Sequence, residues 1–214
     1  ACDYLLKPVA LEELLAVLQR ARQRILQEQK QLESSRQIEE RLSYSMSAFI
    51  EQFYLQLLHG ELPEEELTGK MRVLGLEDRR AWVLLVGMDH SYRLKTFSPE
   101  KAYQALLQEL KAELESLLAG AGREAPPVLS LDDAVFALIY PDGFSPDPLE
   151  FARKVLRAVR AKLQHTVSVA IGGAVPLREA HRARAEAAAR LKQRLLFGGD
   201  KVFRQDPGRS VQDA

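Results

Sequence analysis

The sequence has almost no cysteine and no long hydrophobic run, and each absence excludes a class of protein. Its single cysteine, Cys2, cannot form a disulfide within the chain or a cysteine-based zinc site. No run of about 18 apolar residues exists, as a membrane-spanning helix would require. Residues 1–8 also lack the basic start and apolar core of a secretory signal. We therefore expect a cytoplasmic protein that contacts no membrane.

An excess of charge of one sign is missing as well, because 30 basic side chains balance 30 acidic ones. The acidic residues concentrate between Glu100 and Glu150, and the basic ones between Arg153 and Arg204. A basic segment can bind phosphates. Here the arginines interleave with Ala and Leu at helical spacing, which favours solvated helix faces instead.

The first eight residues are typical of the end of a larger domain. Asp3 to Leu6 predict a short strand, and Lys7 and Pro8 follow it. A strand of this length needs a partner for its backbone groups. We interpret residues 1–8 as the C-terminal remnant of a domain that precedes this chain.

A long helix is predicted over residues 9–45, which contain no glycine and no proline. Apolar side chains recur at heptad spacing, which predicts the seam of a coiled-coil homodimer, formed by Leu11, Leu18, Ile25 and Leu32. The register slips at Glu39, which changes the local winding. At about 1.5 Å per residue the helix would be roughly 55 Å long, too long for one small domain to cover. The alternative is a helix packed on the core of its own chain.

Residues 46–206 predict an α/β domain, and residues 207–214 a tail. Helical and strand patterns alternate, with strands at residues 82–86, 128–130, 135–139, 166–171 and 201–203. The last long helix is expected from Pro176 to Leu196, and a hairpin turns through Asp132 and Asp133. This order is the split β-α-β pattern of the ferredoxin type. We predict an α+β fold: a long coiled-coil helix, then a mixed sheet with helices on one face.

Two resemblances arise at these residues. The first covers about the opening 20 positions, where Ala1 to Val9 and the following Leu-Glu-Glu-Leu resemble the final strand and helix of a response-regulator receiver domain. The resemblance implies that Lys7 is the lysine that pairs with the phosphorylated aspartate. That aspartate would belong to an earlier strand. The alternative is a chance Lys-Pro turn.

The second resemblance covers roughly Met46 to Phe203. This segment is similar to the GGDEF-like middle domain of YesN-type (AraC-family) response regulators and of PucR and CdaR regulators, a fold that diguanylate cyclases share. The cyclase signature Gly-Gly-Asp-Glu falls on the four positions Asp132, Asp133, Ala134 and Val135. The cyclase metal motif Asp-x-Asp falls on Gly87, Met88 and Asp89.

These replacements predict a degenerate domain without catalysis. Two-metal nucleotidyl transfer needs carboxylates that converge on Mg²⁺, and the side chains of Ala134 and Val135 cannot ligate a metal. Acids at Asp132 and Asp133 would repel nucleotide phosphates, and they are better suited to capping a tight turn. We expect no enzyme activity, no metal and no cofactor.

The resemblances together imply part of a cytoplasmic response-regulator transcription factor in a two-component system. The segment would dimerise and relay the phosphorylation state between a receiver and a DNA-binding domain. Its partners would be a sensor histidine kinase and promoter DNA, both reached through domains absent from this chain. The alternatives are a sensing module for a nucleotide or small molecule and, as a third reading, an active nucleotide cyclase.

The histidines are scattered without metal-type spacing, and the Gly172–Gly173 and Gly198–Gly199 pairs fit element ends as well as a phosphate site.

Overall fold

The computed structural model describes residues 44–122, 125–132 and 134–204. The chain divides into two compact units, Ala1–Phe49 and Ile50–Ala214, and the fold described here is that of the second. Several predictions lie outside the described residues: the receiver remnant with Lys7, residues 9–43 with the seam of Leu11, Leu18, Ile25 and Leu32, the acid Asp133, and the tail 207–214.

The described residues form helices and strands in an α+β arrangement. The helices are α1 (residues 44–59), α2 (Glu64–Val73), α3 (Ser91–Phe97), α4 (Glu100–Ala119), α5 (Pro148–Leu163), α6 (Ala180–Leu191) and α7 (Arg194–Phe197). The strands are β1 (Arg80–Met88), β2 (Leu129–Asp132), β3 (Val135–Pro141), β4 (Val167–Ile171), β5 (Val175–Pro176) and β6 (Val202–Phe203). Among the described residues, no helix is long and apolar enough to cross a membrane.

The strands form one mixed sheet in the order β2-β3-β1-β4-β6, and β5 pairs with β1. All neighbours are antiparallel except β4 and β6, which are parallel. The central strand β1 pairs with both β3 and β4, so its backbone is hydrogen-bonded along both edges. This confirms the predicted α+β fold with a mixed sheet.

The sheet is covered on both faces, so the prediction of helices on one face was wrong. Alternate residues of β1 enter two different cores. Val83 and Leu85 pack in the core that α1, α2 and α6 cover, whereas Leu84 and Val86 pack in the core that α4 and α5 cover. Because successive side chains of a strand point to opposite faces, the unbroken apolar run of β1 is the mark of a strand buried on both sides.

The predicted last helix is also interrupted. The segment from Pro176 to Leu196 contains a 3-10 turn, Leu177–Glu179, then α6, and then the separate short helix α7. Lys192 ends α6, and α7 begins at Arg194. The break redirects the chain, so that the side chain of Arg194 reaches back to the end of β1.

Local residue types account for several helix ends. The Asp147 carboxylate accepts hydrogen bonds from the backbone N–H groups of Leu149 and Glu150, at 2.9 and 3.2 Å, and so caps α5. Gly60 and Gly75 follow α1 and α2 with φ of +70° and +64°, a conformation that favours glycine.

Candidate functional site

The end of β1 and the β2–β3 hairpin bring the signature positions together. Gly87 pairs with Val135 in the sheet, and the N–H of Met88 donates to the carbonyl oxygen of Ala134 at 2.9 Å. The sequence-predicted positions therefore share one edge of the sheet. Asp132, the last residue of β2, pairs with Val135 across the hairpin.

Asp89 lies just beyond β1, and hydrogen bonds occupy its carboxylate. The hydroxyl of Ser168 donates to Oδ1 at 2.7 Å, and the backbone N–H of Asp200 donates to Oδ2 at 2.8 Å. The side chain is buried, with 7% of the residue exposed. Because a buried carboxylate left without donors would be costly, these two hydrogen bonds stabilise the chain before β6.

The glycine at residue 199 is part of this arrangement. A Cβ atom there would lie 2.5 Å from the carboxylate carbon of Asp89. Gly199 therefore lets the backbone approach Asp89 closely enough for the N–H of Asp200 to bond. The Gly198–Gly199 pair thus has a structural role beside Asp89, and Gly198 itself ends α7 with a φ of +81°.

Gly87 faces the guanidinium of Arg194. A Cβ atom at residue 87 would collide with Nη1 of Arg194 and would lie 3.2 Å from both Cζ of Arg194 and Cδ2 of Leu191. The same Nη1 donates to the carbonyl oxygen of Met88 at 3.3 Å. An arginine therefore fills the space in which the resemblance would place the first aspartate of the metal motif.

Among the described hairpin positions, Ala134 and Val135 contribute no carboxylate to this edge. Ala134 is buried in the core beneath α4 and α5, and Val135 is half-buried against the opposite core. Asp132 is exposed. Within residues 44–122, 125–132 and 134–204, no group of three or more His, Cys, Asp or Glu side chains could hold a metal ion.

Sequence reasoning missed the residues that surround Asp89 and Gly87. Ser168 lies on β4, Asp200 precedes β6, and Arg194 opens α7, so they reach the site only through the sheet order and the break in the last helix. A weak signal existed for one of them, since a buried serine in an otherwise apolar strand needs a hydrogen-bond partner.

Comparison with known families decides the identity of this fold. The model of the GGDEF-like domain family matches residues 59–192, more than half of the chain. The chain belongs to the GGDEF-like domain family. The match covers β1, the β2–β3 hairpin and α6, the elements that carry the positions described above. No curated protein matches the chain.

Solved GGDEF structures are similar to this chain at low sequence identity. The S helix-GGDEF-EAL segment of Vibrio cholerae LapD, bound to c-di-GMP, is 12% identical with a TM-score of 0.53, and the match covers 76% of this chain and 36% of that one. The active GGEEF domain of a diguanylate cyclase from Vibrio cholerae is 8% identical with a TM-score of 0.48, over 66% of this chain and 90% of that one. The GGDEF domain of Caulobacter crescentus DgcB in complex with c-di-GMP is 14% identical with a TM-score of 0.48, over 64% and 82%. The likeness to LapD supports the GGDEF-like fold alone.

A cavity of about 760 Å³ lies in this GGDEF-like domain between α4 and β2. Its polar wall includes Gln104, Gln108 and Ser130, and Leu107 and Phe136 supply apolar surface. The volume falls within the range of small-molecule sites, about 300–1,000 Å³. Lys111 and Asp132 also line the cavity, so its polar groups can hydrogen-bond a polar ligand.

The basic final third is largely a set of solvated helix faces, as its spacing predicted. Two exposed arginines pair with carboxylates one turn away on the same helix, Arg153 with Glu150 and Arg182 with Glu179. Arg160, also exposed, pairs with Asp200 from a different segment. Arg190 is an exception, because it pairs with Glu186 but is largely buried. Gly172, at the end of β4, lies against the backbone of Ala183 in α6. That contact explains this glycine by packing.

Proposed function

We propose that this GGDEF-like domain is not an enzyme and that it relays a signal within a cytoplasmic response-regulator transcription factor. The observation that carries the proposal is the close approach of the Arg194 guanidinium to Gly87. A guanidinium at the position of a metal-binding carboxylate repels a divalent cation. It also occupies the space that an aspartate side chain at residue 87 would need. The other acid of the motif, Asp89, has both carboxylate oxygens hydrogen-bonded to the protein.

The same geometry argues against the active-cyclase alternative. Nucleotidyl transfer with two metal ions needs carboxylates that bridge them and neutralise phosphate charge. Ala134 contributes only a buried methyl group, and the isopropyl group of Val135 packs on the core. A single carboxylate holds hydrated Mg²⁺ weakly. The arrangement therefore favours a domain that has the GGDEF-like fold and lacks nucleotidyl-transfer activity.

The relay part of the proposal is supported by the sequence. The heptad of Leu11, Leu18, Ile25 and Leu32 favours a parallel homodimer. The motif that ends in Lys7 and Pro8 resembles the end of a receiver domain. Phosphorylation of a receiver would then change dimer geometry, and this change would pass through the GGDEF-like domain toward DNA. The sensor histidine kinase and the promoter DNA would be bound by domains outside this chain.

The cavity between α4 and β2 favours one alternative, a domain that senses a nucleotide or another small molecule. Relay alone needs an interface, whereas sensing needs a concave pocket with convergent polar groups, such as Gln104, Gln108 and Ser130 provide.

Calorimetric titration of the chain with GTP separates the two functions. A relay without a ligand predicts no heat beyond dilution at micromolar protein. Micromolar binding that is lost in Gln108→Ala, and kept in the control Gln164→Ala at the C-cap of α5, would replace the relay with a nucleotide sensor.

A further inference from the structure

A second cavity, of about 230 Å³, lies at the opposite end of β1 from Asp89, where β1 begins and β3 ends. We call it the Tyr54 pocket. Helix α1 contributes Tyr54 to its lining, and the turn after β3 contributes the ring of Phe144. Further apolar surface comes from Leu76, Ile139 and Leu177. The pocket is therefore separate from the edge that carries the signature positions.

The hydroxyl group of Tyr54 is the polar group of this pocket that needs a partner. Tyr54 is 5% exposed, and its hydroxyl forms no hydrogen bond with any residue that the structure describes. The other buried tyrosine with a raised pKa, Tyr140, differs, because its hydroxyl donates to the carbonyl oxygen of Pro146. A buried hydroxyl without a partner destabilises a fold. Such a group is usually explained by something that binds it.

The charged residues of the lining balance one another and already have partners. They are two cations, Arg79 and Arg80, and two carboxylates, Glu77 and Asp142. Nε of Arg79 donates to Glu77 at 2.5 Å, and Nη2 of Arg80 donates to the carbonyl oxygen of Ala174 at 3.0 Å. Asp142 accepts from the N–H of the next residue at 3.1 Å. Because no charge of either sign is in excess, the pocket favours an uncharged ligand.

The size and the rings of the pocket indicate the shape of that ligand. A dry apolar cavity of about 150 Å³ can hold benzene, so 230 Å³ admits one ring with a small substituent. Phe144 already packs edge-to-face on Tyr140, with ring centroids 5.4 Å apart. Its ring and that of Tyr54 line the pocket, and aromatic rings favour such contacts with another aromatic ring.

We propose that the Tyr54 pocket binds an uncharged aromatic molecule of one ring that carries a hydroxyl group, as benzyl alcohol does. The ligand hydroxyl forms a hydrogen bond with the hydroxyl of Tyr54, and its ring lies against Phe144 and the aliphatic lining. This inference goes beyond the proposed relay, because neither dimerisation nor signal transmission requires a ligand here. Bound ligand connects α1 to the start of β1 and the end of β3, so it also raises the stability of the domain.

The probe is 4-fluorobenzyl alcohol, followed by fluorine and proton NMR with the full 214-residue chain. Its controls are 4-fluorotoluene, which lacks the hydroxyl, and 4-fluorobenzoate, which is charged. The alcohol shifts the ring resonances of Tyr54 and binds more tightly than the benzoate. Tyr54→Phe weakens binding of the alcohol about fivefold, as expected when one neutral hydrogen bond is lost. The same variant binds 4-fluorotoluene within about twofold of the unmodified chain, because its ring contacts remain.

A matched control variant is Tyr92→Phe, which removes a hydroxyl from an exposed tyrosine of α3 outside the pocket. It should leave the affinity for the alcohol unchanged. The proposal is overturned if Tyr54→Phe and Tyr92→Phe bind the alcohol equally, which would mean that water alone satisfies the Tyr54 hydroxyl. It is also overturned if the benzoate binds more tightly than the alcohol.

Two of these readouts need no variant, so they decide the matter even if Tyr54→Phe does not fold. The unmodified chain overturns the proposal if Tyr54 shows no shift up to about 10 mM alcohol, a concentration at which millimolar binding is visible. Its relative affinity for the alcohol and the benzoate is the second such readout. The titrations contain no nucleotide, and their failure would leave the proposed relay untouched.

Discussion

The guanidinium of Arg194 occupies the space that a side chain at residue 87 would fill, and it bonds to the carbonyl oxygen of the next residue, Met88. The relationship joins the end of β1 to the start of α7, two elements far apart in the sequence. A side chain at position 87 would therefore displace the guanidinium of Arg194. Together, Gly87 and Arg194 place a guanidinium at an edge that the resemblance assigns to metal ions.

This close contact predicts a coupling between two substitutions. Gly87→Ala places a methyl group against Arg194 and the buried Leu191. We expect it to cost at least about 0.5 kcal/mol more in the unmodified chain than in an Arg194→Ala background, as for residues in direct contact. Urea unfolding of the four proteins measures the difference. Gly69→Ala is the control, since nothing lies within 4 Å of a Cβ atom there, and its effect should be the same in both backgrounds. Equal costs of Gly87→Ala in the two backgrounds would contradict the packing described.

The hydrogen bonds of Asp89 are predicted to stabilise the folded domain. Asp89→Asn removes charge from a buried group that accepts from Ser168 and from the N–H of Asp200. We expect the free energy of unfolding to fall by about 1–3 kcal/mol. The control Asp142→Asn changes an exposed carboxylate that accepts from a backbone N–H at 3.1 Å, and should cost less than about 0.5 kcal/mol. Chemical denaturation compares the two. A loss no larger in Asp89→Asn than in Asp142→Asn would show that Asp89 does not hold the chain before β6.

The sequence was sufficient for those features that depend on local patterns. The caps of α5 and the glycines after α1 and α2 follow from residue types at fixed offsets. The sequence analysis predicted helices on one face of the sheet, and the structure has them on both. An apolar strand alone does not show how many of its faces are covered. The unbroken apolar run of β1 is nevertheless typical of a strand buried on both faces. The short helix α3, Ser91–Phe97, was missed as well, since it has no buried residue and hence no apolar periodicity.

The sequence identified which residues occupy the signature positions, but it did not predict which side chains and backbone groups contact them. The signature identified Ala134 and Val135, and the metal motif identified Gly87 and Asp89, and the pairing of β1 with β3 brings these positions together. The roles of Arg194 and Asp200 depend on the break between α6 and α7 and on the parallel pairing of β4 with β6. Such contacts between distant segments leave no periodic trace in one sequence.

Dimerisation through the N-terminal helix remains a prediction. Light scattering after gel filtration should give about twice the chain mass of 24.1 kDa. Leu18→Glu combined with Ile25→Glu should give a folded monomer, because each charge would face its symmetry mate in an apolar seam. Exchanging Gln19 and Gln23, beside the seam, for Glu is the control and should leave the dimer intact. Persistence of the dimer in the Leu18 and Ile25 variant would place the interface elsewhere.

The buried tyrosines predict a loss of stability in alkali. Burial raises the pKa of Tyr54 to about 12, and burial followed by the charge of Asp147 raises the pKa of Tyr140 to about 12. In the unfolded chain both ionise near pH 10. Stability is therefore complete below about pH 10 and falls as the pH rises toward 12, because the unfolded state loses protons first. Unfolding of Tyr54→Phe at pH 8 and pH 11 should show a smaller fall than the unmodified chain, and an identical fall would contradict the burial of this hydroxyl.

The central claim, that the GGDEF-like domain lacks metal-dependent catalysis, is tested most directly by turnover. The chain is incubated with GTP or ATP and with Mg²⁺ or Mn²⁺, and the products are separated by chromatography. We expect no cyclic dinucleotide, and none from a variant that carries Gly87→Asp, Ala134→Asp and Val135→Glu, because Asp132 and Asp133 still repel the phosphates. A cyclic product that accumulates in proportion to the protein, and that disappears in a folded Asp89→Ala variant, would contradict the account.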